Sequence, residues 1–188
     1  FPSVIGRIHV ANPKCKESSQ SIFGNMVFHK KGILSLRWPI EHGIVVDWDE
    51  MESLLQHTFF DELRCDPKNE SVFLSEAALN PKANRERSTE LLFETFDIDS
   101  LSICSQSILA LYASGRTSGV VVESGEGVTH CVPIFEGSSL PQAIHRLDLG
   151  GREVTDYLMK LLNEKGHQFS TVAETEIVKR IKEKMCYV

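Results

Sequence analysis

The strongest constraint on this chain is a change of grammar at Ser114. Upstream of it, strand-like and helix-like stretches alternate. Ser71 to Glu76 reads as a short strand, a helix starts near Asn80-Pro81 and runs toward Phe96, Ser100 to Cys104 reads as a second strand, and Gln106 to Ala113 reads as a helix stopped by Ser114-Gly115. Downstream, Val120-Val121-Val122, a turn at Gly125-Glu126-Gly127 and the run Val128 to Phe135 spell a β-hairpin with a second turn near Gly137. Alternation followed by a hairpin run makes the class α/β, with a domain boundary expected near Ser114.

The flanking stretches add detail. Val10 to Lys31 is polar, with Pro13 and a Ser18-Ser19 pair, and reads as a mobile loop and a poorly periodic connector. Ile33 to Trp38 alternates as a strand. Asp47 is placed to cap a helix whose apolar face is Trp48, Met51, Leu54, Leu55 and Phe59, while Asn80 and Pro81 offer an N-cap and a first-turn proline to the next helix. Two amphipathic helices close the chain, one built on Val154, Tyr157, Leu158, Leu161 and Leu162, the other on Ile177, Val178, Ile181 and Met185. The first residues are not an initiator Met and the chain stops straight after a helical pattern, so both ends read as cut.

Composition narrows the function classes. The net charge is −6 with no basic block or stripe, which argues against nucleic-acid and membrane-surface partners. Five scattered cysteines without C-x-x-C spacing argue against a disulfide framework and a zinc site and fit a reducing, intracellular compartment. No stretch is long and apolar enough to span a bilayer.

Chemistry concentrates in Glu123-Ser124-Gly125-Glu126-Gly127-Val128-Thr129-His130. Glycines between two strands let backbone N–H groups turn toward an anion. Carboxylates beside a phosphate repel it unless a divalent cation such as Mg²⁺ lies between them. Taken alone, a Gly-x-Gly hairpin tip is an ordinary tight turn. His130 lies one strand step beyond this loop and Gln106 opens the preceding helix, so the two could orient a water for in-line attack on a terminal phosphate. Each alone is more commonly a structural hydrogen-bonder. Lys179, Lys182 and Glu183 share a helical face that could contact a ribose or base, or simply be solvated.

Several longer motifs carry a resemblance. Pro39-Ile40-Glu41-His42-Gly43-Ile44-Val45, Asn80-Pro81-Lys82-Ala83-Asn84-Arg85-Glu86 and Leu111-Tyr112-Ala113-Ser114-Gly115-Arg116-Thr117 look like actin nearly letter for letter. So do Phe1-Pro2-Ser3 with Gly6-Arg7, the stretch from Gly151-Arg152 to Tyr157-Leu158, and Ile181-Lys182-Glu183-Lys184. The chain is identified on these as a member of the actin family, an internal piece of a divergent actin or actin-like protein. The resemblance implies part of the actin-like ATPase fold shared with sugar kinases and large heat-shock ATPases, two α/β domains around a nucleotide cleft. On that pattern residues 1–38 form the mobile-loop subdomain and 39–113 the rest of the first domain. Residues 114–149 open the second domain with the phosphate-binding hairpin, and 150–188 begin its outer subdomain.

The resemblance also implies roles. Ser124, Gly125, Glu126, Gly127 and Val128 match a phosphate-binding loop, with Gly151 beside it, and Glu123 and Glu126 match acidic positions that hold Mg²⁺ or Ca²⁺ through water. Gln106 and His130 match the residues that arrange the hydrolytic water, and Lys179, Lys182 and Glu183 match nucleoside contacts. His42 matches a histidine commonly methylated in the family. ATP, other actin or actin-like subunits, actin-binding proteins, weak ATPase activity and a cytoplasmic, cytoskeletal setting follow as expectations. Two departures stand out. The family has Asp where this chain has Glu123 and Glu126, each longer by one methylene, and the mobile loop, Val10 to Glu17, carries charges and a proline. These departures favour a competing reading, an actin-related structural subunit that has lost hydrolysis.

Overall fold

A computed structural model describes residues 1–8, 21–29 and 34–187. The expected mobile loop at Val10 to Glu17 lies outside them. An antiparallel three-stranded sheet in the order β2-β1-β3 opens the structure, formed by β1 (Ile5–Ile8), β2 (Ser21–Phe23) and β3 (Leu34–Arg37). Between β2 and β3 the connector holds the short helix α1 (Asn25–His29), so part of a stretch expected to be irregular is ordered. Gly6 and Val27 explain the order, since Val27 is fully buried and a Cβ on Gly6 would approach it to 3.3 Å. Burying Val27 against the sheet supplies a gain that local polarity does not reveal.

A two-stranded hairpin, β4 (Ile40–Glu41) and β5 (Ile44–Val45), leads to α2 (Trp48–His57). Asp47 caps α2 as the sequence indicates, its carboxylate accepting from the Glu50 N–H at 3.1 Å. Glu50 itself is buried and pairs with Arg7 Nε of β1 at 2.8 Å, which ties α2 to the first sheet. His57, at the end of α2, stacks on Phe23 with ring centroids 4.4 Å apart.

The β6 (Ser71–Glu76), α3 (Lys82–Glu90), β7 (Ser100–Ser105) unit follows the expected strand–helix–strand alternation and is a crossover: β6 and β7 are parallel and paired along their full length, from Ser71↔Ser100 to Glu76↔Ser105. Asn80 is not the N-cap of α3. Pro81 holds that position, and the Asn80 amide donates instead to the Glu76 carboxylate at 2.9 Å. After Glu90 the helix widens into a π turn, Leu91–Thr95, which lets the consecutive residues Leu91 and Leu92 both turn inward. They join Phe59, Phe96 and Ile98 in a core closed by Trp48, Leu55, Val72, Leu74 and Leu101.

From β7 the chain passes directly into α4 (Gln106–Ala113), which ends at Gly115 with φ +74°. The second sheet is antiparallel and centred on β9 (Thr129–Phe135). One edge of β9 takes β8 (Gly119–Ser124), and the other takes β10 (Ser138–Ser139) and β11 (His145–Leu147). Alternate β9 residues His130, Val132 and Ile134 face inward, where Val132 and Ile134 meet Ala78 and Leu111 in a second core. Two helices follow, α5 (Gly151–Glu164) and α6 (Val172–Met185).

Leu92 is 1% exposed at the centre of the first core. Leu92→Ala should therefore lower unfolding stability by about 2–5 kcal/mol, read from the urea midpoint with an unchanged slope. A loss under about 1 kcal/mol would mean that this core is not packed as described.

Candidate functional site

The hairpin that joins β8 to β9 is built on the register Glu123↔His130 and Ser124↔Thr129. The Gly125 N–H closes the turn on Val128 O at 2.9 Å, leaving Glu126 and Gly127 at the tip. Neither Gly125 nor Gly127 adopts positive φ, so conformational freedom is not what the glycines supply here. At Gly127 the need is space: a Cβ would stand 3.2 Å from both Cα and N of His42. The His42 ring lies against the same residue, and its Nδ1–H donates to Gly127 O at 2.6 Å, which fixes the proton on Nδ1.

The tip then meets the start of α5. Gly151 N–H donates to Gly125 O at 2.9 Å, and Arg152 N–H donates to Glu126 O at 2.8 Å. Two of the N–H groups that a helix leaves unpaired at its start are thus satisfied by the hairpin. Gly150 N–H donates to the Glu153 carboxylate at 2.6 Å. Burial opposes ionisation of Glu153, but the Glu153 and Gly150 N–H groups, His42 and Arg152 outweigh it and hold the carboxyl below its ordinary range. A Cβ on Gly150 would lie 2.7 Å from both hairpin carbonyl oxygens, so only glycine lets α5 approach this closely. With the Gly125 and Glu126 carbonyls turned toward α5, the N–H groups of Glu126 and Gly127 have no backbone acceptor among the described residues.

Side chains complete the surroundings. Glu123 is half-buried and accepts from Ser107 Oγ at 2.5 Å, which locks the hairpin to the first turn of α4. Glu126 is exposed, and its carboxylate pairs with Lys179 Nζ of α6 at 2.9 Å. Lys182 Nζ donates to Gly151 O at 2.7 Å and to Thr155 Oγ1 at 2.9 Å, holding α6 against α5. Thr129 Oγ1 donates to Leu149 O at 2.7 Å, so the Ser124 hydroxyl is the donor in its 3.0 Å bond to Thr129 Oγ1.

His130 is 3% exposed, and its Nε2 has no hydrogen-bond partner among the described residues. Arg146, its cross-strand neighbour on β11, donates through Nη2 to His42 O at 2.9 Å and through Nε to Asp148 at 2.8 Å. Burial first and the Arg146 charge second push the His130 pKa below its ordinary value, while Glu123 and Asp148 pull the other way.

The residues singled out in the sequence divide as follows. Glu123, Ser124 to Val128, His130, Gly151, Lys179 and Lys182 gather around the hairpin. Gln106 stands exposed at the head of α4, one residue before Ser107, and Glu183 is exposed on α6. Ser107, Arg146 and Thr155 belong to the same neighbourhood, yet sequence reasoning missed all three. Ser107 carries the only local hint, as a small hydroxyl residue in the first turn after a strand.

Among the described residues no group of three or more His, Cys, Asp or Glu side chains converges as a metal cage. Two carboxylates with unpartnered N–H groups suit instead a hard cation that keeps several waters and shares phosphate oxygens, as Mg²⁺ does. Glu123 and Glu126 would hold such an ion, and the Glu126 and Gly127 N–H groups would face the phosphates.

The family model for actin matches residues 1–188, the whole chain. The chain belongs to the actin family. Its mixed sheets and helices are part of the actin-type α/β fold. No helix of the described residues of this actin-family chain is long and apolar enough to cross a membrane.

The depressed His130 pKa sets a pH dependence. As pH falls below the ordinary 6.5, the unfolded chain takes up a proton at this residue and the folded chain resists it. Stability present above that pH is therefore lost on acidification. Thermal unfolding between pH 7.5 and 5.5 should show a smaller loss for His130→Gln than for the unaltered protein; equal losses would mean that His130 is not buried neutral.

Proposed function

We propose that this chain is the nucleotide-facing portion of an actin-type ATPase, binding Mg²⁺-ATP at the β8–β9 hairpin and hydrolysing it slowly in step with filament assembly. Residues 1–38 and 39–113 form the two parts of its first domain, and 114–149 and 150–188 open the second. The reading is carried by one observation, the buried Nε2 of His130, unpartnered among the described residues, beside Glu123 at the base of a hairpin whose tip presents the Glu126 carboxylate and N–H groups without a backbone acceptor among those residues. A neutral imidazole one cross-strand step from Glu123 can accept a proton from, or orient, a water near a terminal phosphate. Gln106 at the head of α4 serves the same water from the first domain. Lys179, Lys182 and Glu183 are assigned to the nucleoside side of the cleft, and Gly151 to the phosphate side. Mg²⁺, when bound, would neutralise charge developing on the phosphates. Other actin-like subunits and actin-binding proteins are the partners of this reading, and the cytoplasmic cytoskeleton is its setting.

A second reading has its own support. Both hairpin carboxylates already have protein partners, Ser107 for Glu123 and Lys179 for Glu126. That arrangement suits an actin-related subunit that keeps the fold as a fixed scaffold and does not hydrolyse nucleotide. Calorimetric titration of the full chain with ATP, with and without Mg²⁺, separates the two. The ATPase reading expects Mg²⁺-dependent binding, and His130→Ala should retain that binding while slowing phosphate release by up to about 100-fold, the scale of a lost positioning group. Binding without any phosphate release in the unaltered protein would favour the scaffold; no binding would remove the nucleotide reading.

A further inference from the structure

Glu126 is the tip carboxylate, and its position is set by helix α6. Its Oε1 pairs with Lys179 Nζ at 2.9 Å. Its Oε2 lies over the start of α5, only 3.0 Å from where a Cβ on Gly151 would stand. One turn further along α6, Lys182 grips Gly151 O and Thr155 Oγ1, so the helix that carries Lys179 is fastened to the same helix start that the hairpin carbonyls cap. A side chain one methylene shorter than glutamate would have less reach toward this lysine.

We propose that Lys179 is a built-in counter-cation of the hairpin, competing with a divalent ion for the Glu126 carboxylate and thereby coupling ion occupancy to the docking of α6. The proposal rests on the hairpin being a cation and phosphate site. An ion drawn to Glu126 weakens its pairing with the Lys179 ammonium, and whatever loosens α6 from α5 frees the carboxylate; the two effects are reciprocal because they are one coupling free energy. Lys179 and Glu126 are both partly exposed, with side chains 32% and 58% accessible, so the competition is modest and salt-sensitive.

The test uses Mn²⁺ alone, followed by its electron spin resonance signal, so that the phosphate charges of a nucleotide do not enter. In the full chain, Lys179→Gln should tighten Mn²⁺ binding roughly two- to five-fold, as expected for removing a partly exposed ion pair. Lys179→Arg, which keeps a cation within reach of Glu126, should leave the affinity near its starting value. In a Glu126→Gln background the same Lys179→Gln change should do nothing, because the contested carboxylate is gone. Amide exchange along α6 should quicken when Mn²⁺ is added to the unaltered protein. An equal gain in both backgrounds would show a general field effect and overturn the proposal. So would no gain, weaker binding, or the absence of saturable Mn²⁺ binding in every variant. Failure of the nucleotide reading is seen separately, as absent Mg²⁺-ATP binding by the unaltered chain.

Discussion

Two carbonyl oxygens, those of Gly125 and Glu126, organise the site by accepting the first N–H groups of α5. A helix start needs acceptors and a hairpin tip has carbonyls to place. Joining them settles the direction of α5 and turns the remaining tip N–H groups the other way. The fit depends on Gly150, because any larger residue would push the helix off the oxygens. From there the order spreads outward. Lys182 clasps the same helix start from α6, and His42 closes on Gly127.

The electrostatics follow from this framework. Glu123 sits half-buried with a serine donor, whereas Glu126 stands exposed with a lysine, so two carboxylates three residues apart have different surroundings. His130 lies between the buried apolar residues of β9 and the Arg146 guanidinium, which together favour its neutral form. Arg146 also holds the His42 carbonyl and so links the β4–β5 turn of the first half to the β9–β11 pair of the second.

Much of the fold was legible because it rests on local patterning. The β6–α3–β7 crossover, the α4 stop at Gly115, the β8–β9 hairpin and the two closing helices all appear where apolar spacing and turn residues place them. Asp47 caps α2 because a carboxylate three residues before a free N–H acts at short range. Asn80 was misleading for a related reason: its amide donates to the Glu76 carboxylate four residues back, and Pro81 takes the cap position. The helix α1 and the π turn at Leu91–Thr95 were illegible, since both exist to bury side chains against distant strands.

By itself the sequence determined the α/β class, the actin family and the hairpin's identity as the chemically dense segment, because each of these is written in residue types at short spacing. Only tertiary structure decided that Gly127 lies tight against the His42 backbone and that Gly150 is required by close approach, that Ser107, Arg146 and Thr155 join the site, and that Lys179 faces Glu126 across 53 positions of chain. Contacts at such separations depend on how whole helices dock. That docking is settled by buried surface and by carbonyls finding donors, neither of which has a local signature.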